Sequence, residues 1–138
     1  MKRNTREIEA RNRCEASALL MEAGYRVYGP EADCDGEDLI VRAPGGAIFP
    51  VQLKGEVWVD EKKYGSRGLW MLFPDKPHAP REWFLIPHDE LYQWMEAKYG
   101  HAPYFQKTHQ WNTSMTKALR AFLESEDRRL GSTDIRPK

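Results

Sequence analysis

The sequence predicts an α/β domain around one sheet of about four strands flanked by helices, and three observations predict it. Apolar residues recur at helical spacing over 6–23 and again over 88–99 and 112–127. Between the first two of these lie short β-type runs, punctuated by Gly and Pro. The chain has 138 residues, which suits one domain. Folding at that length hides about two-thirds of the surface, enough for a real core.

Each element has a local reason. Ile8, Cys14, Ala18, Leu19 and Met21 give the first helix its apolar stripe, and Gly24 supplies a left-handed stop. Tyr25–Tyr28 alternates and reads as a short strand. Asp38–Val41 and Ile48–Lys54 read as a hairpin around Ala43-Pro44-Gly45-Gly46, with Pro50 weakening the second strand. The polar stretch 55–68 reads as a basic, glycine-flanked loop. Leu69–Phe73 and Glu82–Ile86 are two further strands separated by a proline-rich loop. His88–Tyr99 is a helix with Asp89 and Glu90 in its first turn, where negative charge suits the dipole. Residues 100–111 read as irregular and aromatic. Asn112, Thr113 and Ser114 are N-cap candidates for a last helix bearing Met115, Ala118, Leu119, Phe122 and Leu123. The domain is expected to span 1–127, followed by a basic, mobile tail over 128–138.

Composition excludes several classes. Five Trp, six Tyr and five Phe argue against a disordered chain. Lys+Arg and Asp+Glu are 21 each, which excludes a histone-like binder driven by bulk charge. No apolar run approaches the ~20 residues of a membrane span. The basic start of the chain has no apolar core behind it, so no secretory signal is expected. Cys14 and Cys34 read as free thiols in a reducing compartment, and a cytoplasmic location is expected. His78, His88, His101 and His109 have no zinc-like spacing with them. Trp70, Trp83, Trp94 and Trp111 read as core or sheet-flanking residues. No GxxxxGK[ST] phosphate loop is present, which weakens a role on small phosphorylated substrates.

The chemistry concentrates in the hairpin. Alternation puts Gln52 and Lys54 on one face of their strand and Leu53 on the other. With Asp38 on the neighbouring strand, its carboxylate, the Gln52 amide oxygen and the Leu53 carbonyl could converge on one divalent cation. Hard oxygen donors of this kind suit Mg²⁺. Lys54 would stand beside them as a point charge. Residues 31–41 carry five acids and no base, which leaves the rest of the chain positive by the same amount. Lys62, Lys63 and Arg67, with Arg6, Arg11 and Arg13, are candidates for tracking a phosphate backbone.

Here the chain resembles the PD-(D/E)XK nuclease superfamily, in its small branch with group I intron homing endonucleases and Holliday-junction resolvases. Four segments carry the resemblance in order: a Glu-containing first helix closed by Ala23-Gly24-Tyr25; Gly36-Glu37-Asp38-Leu39-Ile40-Val41; Val51-Gln52-Leu53-Lys54; and Trp83-Phe84-Leu85-Ile86-Pro87. It implies a restriction-endonuclease-like core with a mixed sheet, and an endonuclease that hydrolyses DNA with Mg²⁺ or Mn²⁺. Asp38, Gln52 and the Leu53 carbonyl would hold the metal, and Lys54 would be the catalytic lysine. The family often adds a first-helix glutamate, for which Glu15 and Glu9 are the candidates. Related nucleases often act as homodimers or homotetramers. Two departures stand out: Glu37 in place of the signature proline, and Gln52 in place of the usual acid. The second weakens metal affinity and keeps open another class, a catalytically silent nuclease-fold module that binds nucleic acid or a protein partner.

Overall fold

A computed structural model describes residues 5–29 and 39–131. Helix α1 (Thr5–Glu22) stops at the expected glycine. Gly24 adopts φ +94°, and the Tyr25 N–H donates to the Leu20 carbonyl at 3.0 Å, closing a left-handed cap. The chain then forms β1 (Arg26–Tyr28), β2 (Leu39–Arg42) and β3 (Ile48–Leu53). These three are successive antiparallel neighbours, with Leu39 opposite Val51 and Arg42 opposite Ile48. The expected hairpin therefore forms. Pro50 is tolerated inside β3 because the ladder on its other side begins only at Val51, so at Pro50 the strand has one neighbour.

Strands β5 (Trp70–Pro74) and β6 (Trp83–Pro87) complete the sheet. The strand order is β1-β2-β3-β5-β6, with β3 parallel to β5 and every other pair antiparallel. The molecule is thus a mixed α/β domain on a five-stranded mixed sheet.

Two stretches read as loops contain structure. Residues 55–68 hold β4 (Val57–Asp60) and the short helix α2 (Glu61–Tyr64). Residues 100–111 hold α4 (Pro103–Thr108) and the start of β7 (Gln110–Thr113). β4 and β7 pair antiparallel as a second small sheet, with Val57 opposite Thr113 and Asp60 opposite Gln110. Neither strand has a partner nearby in sequence, so no turn signal announces the pair. Helix α3 (His88–Tyr99) has its expected bounds. Helix α5 (Lys117–Ser125) is capped by Thr116, whose side chain accepts from the Leu119 N–H at 3.1 Å, rather than by Asn112, Thr113 or Ser114.

Alternation along the strands feeds two cores. On one face Ala16 and Leu20 of α1 pack on Val41, Val51, Leu72, Trp83 and Leu85. On the other, Met71, Phe73, Phe84 and Ile86 pack under α3, α5 and β4. Residues 128–130 dock on β6. The Leu85 N–H donates to the Arg128 carbonyl at 3.0 Å, and the Leu130 N–H donates to the Trp83 carbonyl at 2.8 Å. Arg128 pairs with Glu90 at 2.6 Å, and Arg129 with Glu82 at 2.8 Å. The start of the segment expected to be a mobile tail is therefore held, and it covers the sheet's edge. Among the described residues no helix is long and apolar enough to cross a membrane.

Candidate functional site

The sheet ends and α1 begins at the same place. There, a cavity of about 500 Å³ opens between the C-terminal end of β3, the first half of α1 and helix α2. Gln52, Leu53, Lys54 and Gly55 form one wall, and Arg6, Glu9, Ala10, Asn12 and Arg13 another. Lys63 and Tyr64 close the third. Four basic side chains thus face one carboxylate in the lining.

Gln52 is 8% exposed and lies opposite Met71, on the sheet face that bears Tyr64's core. Leu53 packs into the other core. The Lys54 N–H donates to the Leu72 carbonyl at 3.0 Å, which continues the parallel ladder past the last strand residue. Its ammonium is then held over two rings, 5.2 Å from the centre of Trp58 and 5.7 Å from that of Tyr64. Neither ring was legible as part of a site. Trp58 comes from β4 and lies opposite Asn112 of β7, 54 residues on in the chain, and Asn112 Nδ2 also donates to Glu56 Oε2, just ahead of β4, at 2.8 Å.

Helix α2 is fixed from below by a buried histidine. Asp60 caps it, accepting from the Lys63 N–H at 3.1 Å. The Asp60 N–H donates to His88 Nε2 at 3.0 Å, so the ring carries its proton on Nδ1, which faces Asp89 Oδ1 at 3.0 Å. Asp89 also accepts from the Ser66 N–H at 3.0 Å. His88 thereby anchors the helix that brings Lys63 and Tyr64 to the cavity. Lys62 and Arg67 are exposed, and neither lines it.

The two candidate glutamates of the first helix, Glu9 and Glu15, part company. Glu9 lines the cavity. Glu15, six residues on, accepts from Arg81 Nε at 3.0 Å, Arg81 Nη2 at 2.7 Å and Trp83 Nε1 at 2.8 Å. The Arg81 hydrogen bonds hold the Glu15 carboxyl below the usual glutamate range. Burial opposes this, and the Trp83 N–H reinforces it. Arg81 also donates to Asn12 Oδ1. Asn12, three residues from each glutamate, shares their helix stripe, a spacing visible in the sequence. Arg81 sits in the proline-rich loop and carries no local signal.

Asp38 lies outside the described residues, as do Glu31, Asp33, Asp35 and Glu37. Cys34 does too, and Cys14 is an exposed free thiol. Among the described residues no group of three or more His, Cys, Asp or Glu is placed to hold a metal ion. The described lining residues that carry a side-chain oxygen are Glu9, Asn12, Gln52 and Tyr64. Oxygen is a hard donor atom, and Glu9 is the charged one of the four. Compared with family models, curated proteins and solved structures, the chain shows no match.

Proposed function

We propose that this chain is a metal-dependent endonuclease that hydrolyses DNA phosphodiester bonds on a restriction-endonuclease-like core. The observation that carries the reading is the shared cavity. Gln52, Leu53 and Lys54 at the end of β3 meet Glu9 of α1 within a basic lining. The five-stranded mixed sheet flanked by helices agrees with the core that the sequence resemblance implies.

Magnesium, with manganese as a substitute, would draw on hard oxygen donors, and Glu9 and Gln52 of the lining supply two such side chains; the sequence resemblance adds the Leu53 carbonyl and Asp38 to that set. When bound, the ion would neutralise charge on the phosphate and lower the pKa of a water. Glu9 takes the place that the resemblance gives to a first-helix glutamate, because Glu15 is committed to Arg81 and Trp83. Lys54 supplies fixed positive charge where oxygen charge grows in the transition state. Trp58 and Tyr64 hold its ammonium ready, so little reorganisation is needed. Arg6, Arg13 and Lys63 bind flanking phosphates, which positions the strand without reading its sequence. One cavity cuts one strand, so cutting a duplex calls for a homodimer or homotetramer.

The test is cleavage of linear, branched and single-stranded DNA with Mg²⁺ or Mn²⁺. Lys54→Ala should lower cleavage by at least about a hundredfold while thermal unfolding stays the same. Wild-type protein that cuts none of these substrates would overturn the proposal. Gln52 favours a second reading, a silent nuclease-fold module that binds nucleic acid or a protein, because a neutral amide replaces an acid in the cavity. Such a module would show no thermal shift with either metal.

A further inference from the structure

Arg81 determines which way the Asn12 amide is turned. Its guanidinium is seated on Glu15 through Nε and Nη2, and Nη1 donates to the Pro77 carbonyl at 2.9 Å. Nη2 also donates to Asn12 Oδ1. A guanidinium has donors only, so the half of the amide that faces it is the oxygen. The NH₂ half takes the opposite direction. Asn12 is 6% exposed, and it lines the cavity. A Cβ added at Gly55 would stand 3.5 Å from Asn12 Nδ2, so the NH₂ lies against the backbone that follows Lys54.

An amide locked in this way offers the cavity N–H donors and no acceptor. A cation finds no ligand atom there, whereas an anionic oxygen does. The neighbours agree, since Arg6, Arg13, Lys54 and Lys63 share the lining. Glu9, one turn earlier on α1, has the opposite character and suits a cation.

We infer that Asn12 is a phosphate-binding residue of this cavity, its NH₂ donating to a phosphate oxygen, and that Arg81 and Glu15 are the positioning pair that aims it. The inference rests on the nuclease reading for one point, that the phosphate belongs to DNA. Asn12 itself is thereby removed from a metal-ligand role, because the only oxygen on its side chain faces Arg81.

Two measurements test it. The first follows the Asn12 side-chain NH₂ resonance of the wild-type protein during titration with inorganic phosphate. It should move and saturate. The second compares wild type with Asn12→Asp and Asn12→Ala for binding of a short DNA duplex in EDTA. Asn12→Asp keeps the size and the acceptor for Arg81 but turns the donor into an anionic oxygen. Its duplex affinity should fall by about tenfold or more, with Asn12→Ala intermediate and thermal unfolding of the Asp variant unchanged. A resonance that phosphate leaves unmoved overturns the inference, as does duplex binding by both variants equal to wild type. In either case DNA cleavage by the wild type would leave the nuclease reading standing. A saturable phosphate response in a protein that cuts no DNA would instead keep the phosphate seat and remove the nuclease.

Discussion

Two arginines do the same chemistry in different settings. Arg81 binds Glu15, and its side chain is 3% exposed. Arg120 of α5 binds Asp75 at 2.6 Å and Glu82 at 2.8 Å, and its side chain is 34% exposed. Both also lie over an aromatic ring, Arg81 over Trp83 and Arg120 over Phe84. Among the described residues the ion-pair partners of Arg120 are the carboxylates of Asp75, Glu82 and Glu124. Arg120 ties α5 to the ends of β5 and β6, and Arg129 joins it on Glu82. Arg81 has one carboxylate and spends its remaining donors on three neutral acceptors, Asn12 Oδ1 and the Lys76 and Pro77 carbonyls. A charge sealed from water must be matched atom by atom, whereas one at the surface can lean on solvent. The buried arginine therefore organises its neighbours, and one of those neighbours faces the cavity.

Removing one partner from each network should separate them most. Glu15→Ala leaves a buried guanidinium without its counter-charge and Trp83 Nε1 without its acceptor. A loss of about 3 kcal/mol is expected in urea unfolding. Should Glu15→Ala cost no more than Arg120→Ala, burial is not what distinguishes the two networks.

A smaller effect is expected at the surface. Arg120→Ala should cost about 1 kcal/mol, with DNA affinity unchanged. At about 1 M salt, where the screening length is ~3 Å, most of that difference should vanish, while the Glu15→Ala deficit should persist. A salt-insensitive Arg120 would show that its network is sealed as well.

The smallest effect is on acid stability. Glu15 and Glu82 are both held below the ordinary glutamate value, Glu15 chiefly by its hydrogen bonds from Arg81 and Glu82 chiefly by those from Arg120. A depressed folded value means each carboxylate contributes stability above about pH 4.3, the ordinary value. That contribution is lost as pH falls through the lowered folded values. In urea midpoints measured from pH 7 down to about pH 2, Glu15→Gln and Glu82→Gln should each flatten the acid limb, and Glu15→Gln more so. Equal flattening would mean that the exposed pair is as well matched as the buried one.

Features built from neighbouring residues were legible. The left-handed stop at Gly24 follows from a glycine after a helical stripe. The β2–β3 hairpin follows from two short runs around Pro44-Gly45-Gly46, and helix α3 from the spacing of Leu91 and Met95. The Gln52 and Lys54 pair was legible for the same reason, because period-two alternation is local. Features whose partners are distant were not. Val57 and Val59 gain a partner strand only from β7, so β4 read as loop. Thr116 outcompeted Asn112 to Ser114 as the α5 cap because Gln110–Thr113 was drawn into that sheet. That Glu15 is taken up in hydrogen bonds while Glu9 lines the cavity depends on Arg81, 66 residues beyond Glu15.

By itself the sequence determined an α/β domain with the first helix, the central hairpin and an amide–lysine pair on one side of a strand. Periodicity and turn chemistry act between neighbours, and they hold before any long-range contact forms. Only the tertiary structure decided that α1 would lay Glu9 and Asn12 beside that pair. It alone decided that Trp58 and Tyr64 would hold the lysine, and that Arg81 would turn one amide toward the cavity. Those choices depend on burying a charge where every donor needs an acceptor, and the acceptors are brought together only by packing.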